Sequence, residues 1–184
     1  MISYDEMLVL ASGNSDHQQR VIELEPPLVD ALTNTEPLQV LEIGNGSGGS
    51  GLLILYHIWK IGKGHAFTTV DRNDCPKLIL EWAEKFKVPH SHFKLDQQQF
   101  IEKLETAYSF IYLDADHRET EVKQDALVLG RQLVRGGVLV IDDVNEWKTL
   151  PDLSGVGLTP VSYDVDQGKT RGEHGQHVVW WKRA

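Results

Sequence analysis

One stretch restricts the fold more than any other: Glu42-Ile43-Gly44-Asn45-Gly46-Ser47-Gly48-Gly49-Ser50. It ends the apolar run that starts at Val40 and precedes the apolar segment Leu52 to Trp59, so its glycines occupy a turn from a buried strand into a helix. Glycine there permits positive φ and close backbone approach, and the helix start offers N–H groups to a negative or electron-rich ligand. A nucleotide-like cofactor is expected against this turn.

The rest of the chain repeats that strand-to-helix pattern. Short β-branched runs predict seven strands, at 39–43, 66–70, 92–95, 110–114, 137–141, 159–163 and 177–182. Amphipathic stretches predict helices at 50–61, 74–86, 97–105 and 118–134, with Asp74 as an N-cap ahead of Pro76 and a glycine C-cap at Gly136. The glycine-rich, charged segment 164–176 holds no helix, so the last two strands should form an antiparallel hairpin. Before residue 39, a helix over 17–33 is expected to break at Pro26-Pro27, with a short helix in the first dozen residues. The expected fold is α/β: a Rossmann-like, seven-stranded, mostly parallel sheet with helices on both faces and a C-terminal hairpin. A length of 184 residues suits one domain, divided into an N-terminal helical cap (1–38), a cofactor-binding core (39–145) and a loop with the hairpin (146–184).

Charge narrows the partners. With 27 acidic against 18 basic residues and a net charge of -9, the chain repels a phosphate backbone on average and shows no basic stripe, so no nucleic-acid partner is expected. Cys75 is the only cysteine, which excludes an intrachain disulfide and a cysteine metal site. No signal-like N-terminus and no apolar run of roughly 20 residues is present, so no membrane partner is expected and a cytoplasmic location follows.

Gly44, Gly46 and Gly49 satisfy G-x-G-x-x-G, which leaves a dinucleotide open. Glu42 at the strand end would repel a diphosphate, whereas Asp71 after the second strand is placed to accept two ribose hydroxyls and Asp96 ends the third. These carboxylates favour S-adenosylmethionine. A second constellation lies at the ends of two later strands, where Asp114, Asp142 and Asp143 would share one sheet edge. Packed carboxylates repel unless a cation or proton joins them, and an all-oxygen set suits Mg²⁺, or Mn²⁺ or Ca²⁺; a turn capped by Asp142-Asp143 is the plainer alternative.

The turn resembles the class I S-adenosylmethionine-dependent methyltransferase motif E-x-G-x-G-x-G. Glu42, Gly44, Gly48 and Ser50 also match the E-x-G-x-x-x-G-x-S of catechol- and caffeoyl-CoA-type O-methyltransferases, with Gly49 in place of their aromatic residue. The resemblance implies that Ser50 binds the methionine carboxylate, that Asp96 and Gln97 lie near the adenine, and that Asn45, Gly46 and Arg72 line the cofactor. Asp114 and Asp142 match the metal ligands of those enzymes, Asp143 resembles the second aspartate of macrocin-type sugar O-methyltransferases, and His117 stands where the catalytic lysine would be. The implied reaction is metal-assisted methylation of a small-molecule hydroxyl, with Asp114 and His117 catalytic. A metal-independent N- or O-methyltransferase and an NAD-dependent oxidoreductase are the alternatives. The N-terminal segment is shorter than the usual cap, so the acceptor site is expected to be open or completed by another subunit of a homo-oligomer. Trp147 could stack on a flat acceptor, while His90 and His92 read as a surface pair rather than a metal site, and Cys75 has no partner base to make it a nucleophile.

Overall fold

Alternation along the strands builds two apolar faces. The computed structural model describes residues 2–12, 15–115, 118–144, 147–162 and 178–184. Strands β1 (Gln39–Ile43), β2 (Ala66–Asp71), β3 (His90–Lys94), β4 (Tyr108–Leu113), β5 (Leu133–Asp142), β6 (Leu158–Val161) and β7 (Val178–Arg183) form one sheet in the order β3-β2-β1-β4-β5-β7-β6. β1 to β5 pair in parallel, and β7 inserts antiparallel between β5 and β6. Val40, Phe110, Tyr112, Val138 and Val140 face helices α1 (Tyr4–Ser12), α2 (Ser15–Asn34), α3 (Gly49–Ile61) and α4 (Lys77–Phe86). Leu41, Ile43, Ile111, Leu113, Leu139 and Ile141 face α5 (Gln97–Ile101) and α6 (Glu119–Arg131). Successive side chains point to opposite faces, so each strand is apolar on both sides and the sheet is buried between helices.

β1 is flanked by β2 on one side and β4 on the other, so the order reverses there and a crevice opens at the carboxyl ends of both strands. The glycine turn and the acidic ends of β4 and β5 lie along this edge.

Several local expectations are corrected. α2 runs through Pro26 and Pro27. Each interior proline costs about 3 kcal/mol, but Leu24, Leu28 and Leu32 are buried to within 1% exposure, and each contributes about 1.5–3 kcal/mol. α4 starts at Lys77 with Pro76 as its cap residue, so Asp74 is outside the helix and binds Lys94 Nζ at 2.9 Å instead. α5 stops at Ile101 because the amides of Lys103 and Leu104 turn back to Phe100 and Ile101 in tight i→i−3 bonds. α6 is capped at Gln132, and Gly136 lies within β5, where its φ of +80° accommodates a register shift against β4. β3 begins two residues before its expected start, at His90, and Trp181 of β7 is buried. Among the described residues, no helix is long and apolar enough to cross a membrane.

Candidate active site

Glu42 sits on β1 beneath the glycine turn and is fully buried. Burial pushes its carboxyl from 4.5 up to about 8; the negative charge of Asp71 adds to this, and a hydrogen bond from Ser50 opposes it. The Ser50 hydroxyl donates to Glu42 Oε1. Glu42 Oε2 and both polar atoms of the buried Asn45 amide have no hydrogen-bond partner among the described residues. Buried polar atoms are rarely left so.

Two glycines are dictated by backbone crossings. A Cβ on Gly44, whose φ is +86°, would lie 2.0 Å from the carbonyl oxygen of Asp114, and one on Gly49 would lie 2.2 Å from the carbonyl oxygen of Ala11. Gly44 lets β1 and the end of β4 close on each other. Gly49 lets α1 cross the turn, so α1 occupies the space that an aromatic side chain would need.

Asp71 joins the turn to the loop after β2. Its Oδ2 accepts from the Asn45 amide at 3.1 Å, and its Oδ1 accepts from the Asn73 amide at 2.8 Å and from Asn73 Nδ2 at 3.1 Å. A cavity of about 260 Å³ opens beside it, lined by Gly44, Gly46, Asp71, Arg72, Gln97 and Asp114 among others. The Asp96 side chain caps α5 through the Gln98 amide at 3.0 Å and holds Arg72 at 2.8 Å. The Gln97 side chain donates to the buried Asp125 of α6.

At the far end of the crevice, Tyr112 connects two of the expected carboxylates. Its hydroxyl donates to Asp142 Oδ2 at 2.7 Å and lies 3.3 Å from Asp114 Oδ2. Burial, then the charges of Asp114 and Asp142, hold the phenol far above its usual range, so the proton stays on Tyr112. Asp142 Oδ1 accepts from the Asp143 amide at 2.8 Å, and Asp143 adopts the left-handed conformation with φ 54°. The structure therefore brings Asp114 and Asp142 together, and among the described residues no group of three His, Cys, Asp or Glu is placed to hold a metal ion. His117 lies outside the described residues. Trp147 packs against the α5–α6 side of the core, with Lys123 Nζ 5.9 Å from its ring centre.

Sequence reasoning overlooked Tyr112, Asn73 and Asp125. Tyr112 was within reach of the strand period: two residues before Asp114, it faces the same side. Asn73, two residues after Asp71, closes a local Asx-type turn, whereas Asp125 meets Gln97 from 28 residues away with no local signal.

This geometry has relatives. Residues 41–144, more than half of the chain, match the profile of a methyltransferase-domain family, and the chain belongs to that family. Solved structures with the same fold include a candidate O-methyltransferase from Klebsiella pneumoniae (17% identity, TM-score 0.61, covering 100% of this chain and 93% of that one). A Podospora anserina methyltransferase bound to S-adenosylhomocysteine is similar at 15% identity and a TM-score of 0.58, over 97% of this chain and 88% of that one. Coclaurine N-methyltransferase, bound to N-methylheliamine and S-adenosylhomocysteine, aligns at 14% identity and a TM-score of 0.50, over 77% of this chain and 45% of its own. No curated protein sequence matches significantly. The seven-stranded sheet is thus that of a class I, S-adenosylmethionine-dependent methyltransferase.

Proposed function

We propose that this chain transfers the methyl group of S-adenosylmethionine to a hydroxyl oxygen of a small molecule. The observation that carries the cofactor reading is the pairing of Asp71, anchored through both oxygens, with the unsatisfied polar atoms of Glu42 and Asn45 across the same turn. Asp71 is set to accept the ribose hydroxyls, and Glu42 and Asn45 to receive the polar atoms of the methionine moiety. Ser50, whose proton is directed to Glu42, would turn to the methionine carboxylate on binding.

The acidic edge supports methylation at oxygen. Asp114 and Asp142 supply hard oxygen donors that meet around one hydroxyl, the donor type that a divalent cation takes, with Asp143 the third carboxylate that would have to turn toward them. Bound there, magnesium, manganese or calcium would lower the pKa of the acceptor hydroxyl. Asp114 and Asp142 would also favour the positively charged sulfonium at that end of the crevice. In the proposed step the acceptor oxygen displaces S-adenosylhomocysteine from the methyl carbon, and His117 takes the hydroxyl proton. The acidic surface supports a small-molecule acceptor over a nucleic acid.

A metal-independent reading has one observation in its favour: the Tyr112 hydroxyl already lies between Asp114 and Asp142 and supplies the proton that their repulsion requires. Calorimetry with S-adenosylhomocysteine, with and without Mg²⁺, followed by turnover on a panel of phenols, catechols and sugars in excess chelator, separates the two. Failure to bind the homocysteine would reject the cofactor reading; turnover that survives chelation would reject the metal.

A further inference from the structure

The loop that carries Asp71 is fastened to the edge strand residue by residue. Arg72 binds the Asp96 carboxylate at 2.8 Å, Asp74 binds Lys94 Nζ at 2.9 Å, and the Asn73 carbonyl oxygen lies 3.1 Å from His92 Nε2. His92, Lys94 and Asp96 follow one another at a spacing of two, along and just beyond β3, so one side of the strand reaches three successive loop residues. The Lys94 and Arg72 pairs are exposed and screened, and exposed pairs contribute little. The His92–Asn73 contact is exposed as well, but the other ring nitrogen of His92 meets the Thr69 hydroxyl in a part-buried bond, so the contact belongs to a longer chain of hydrogen bonds.

With both imidazoles neutral, that chain has one proton order. A carbonyl only accepts, so His92 Nε2 carries its proton and donates to Asn73. His92 Nδ1 then accepts from the hydroxyl of Thr69, its register partner on β2, at 3.0 Å. Thr69 is fully buried, and with its proton committed it accepts from His90 Nε2, also at 3.0 Å. In that form one arrangement satisfies the hydroxyl and both imidazoles, which fixes the His92 ring. The ring fixes the Asn73 peptide, and Asn73 gives both its amide and its side-chain N–H to Asp71 Oδ1.

We propose that His92 is a positioning residue for the cofactor: through Asn73 it orients the Asp71 carboxylate toward the ribose hydroxyls, before any ligand is present. This rests on the assignment of Asp71 to the ribose. Neither ring nitrogen of His92 is available to the cofactor, so its effect reaches the cofactor only through the loop.

The test is S-adenosylhomocysteine binding by calorimetry to four proteins: wild type, His92→Leu, Asp71→Asn and the double variant. The expected result is a loss on the order of tenfold for His92→Leu, the scale of one oriented hydrogen bond. The same change in the Asp71→Asn background should alter affinity less than about twofold, because coupled residues are not additive. His92→Gln, whose amide can donate to the Asn73 carbonyl and accept from Thr69, should restore most of the affinity. In turnover, His92→Leu should raise KM for the methyl donor with little change in kcat. Full additivity of His92→Leu with Asp71→Asn, or no rescue by glutamine in a protein that melts normally, overturns the proposal. Unchanged affinity in Asp71→Asn instead overturns the ribose assignment and the proposal with it.

Discussion

Glu42 is a fully buried carboxyl with one oxygen unpartnered among the described residues, and the proposed cofactor site leans on it. A carboxylate raised to about 8 by burial favours folding in its protonated form, so its contribution is fully present below the unfolded value of 4.5 and is lost as pH rises through 8. Glu42→Gln should therefore match wild type at pH 4 and melt about 5 °C higher at pH 9, while binding S-adenosylhomocysteine more weakly. Thermal melts across that range check the sign; a variant less stable than wild type at pH 9 would contradict the burial argument. Tyr112 supplies a second prediction at this scale. Tyr112→Phe removes the shared proton between Asp114 and Asp142, so the metal-free protein should lose about 1–3 kcal/mol of stability. If the edge holds a cation, millimolar Mg²⁺ should recover more of that loss than it adds to wild type. Of this site, the turn, Asp71 and Asp114 with Asp142 were legible because strand ends and glycine spacing mark them directly. Tyr112 was not singled out, since a tyrosine in a buried strand reads first as packing.

At the level of elements, α1 has the least predictable role. Its sequence announces only a short helix, yet it crosses the glycine turn at Gly49 and is fastened by a chain of polar contacts. Tyr4 donates to Glu25 of α2, and Glu25 meets His57 Nε2 of α3 at 3.1 Å. Burial would raise the Glu25 carboxyl, but the bonds from His57 and Tyr4 bring it below its ordinary value. Its contribution is present above 4.5 and fades as pH falls through the lowered folded value. Glu25→Gln should speed hydrogen exchange of the α1 amides severalfold at neutral pH and leave β4 and β5 unchanged, since local opening need not be global. Two of the errors in helix boundaries have a related origin: Asp74 is drawn to Lys94 and Gly136 to the β5 register shift, both partners distant in sequence.

For the whole molecule, the site exists because β1 and β4 close on each other where the strand order reverses, and Gly44 is the point of closest approach. A side chain there meets the Asp114 backbone at 2.0 Å, whereas a Cβ on Gly46 meets nothing within 4 Å. Both residues have positive φ, +86° and +41°, so alanine at either pays a backbone cost of about 1–2 kcal/mol. Only at Gly44 does a clash with main-chain atoms add to it, and overpacking against backbone costs a further 1–3 kcal/mol or so. Gly44→Ala should therefore lower unfolding free energy in urea by about 3 kcal/mol, and Gly46→Ala by about 1 kcal/mol. Cofactor affinity should follow the same order, because displacement at Gly44 parts the turn from Asp114 and separates the two halves of the crevice. Equal losses for the two variants would mean that φ alone governs the turn and that the β1–β4 contact does not shape the site.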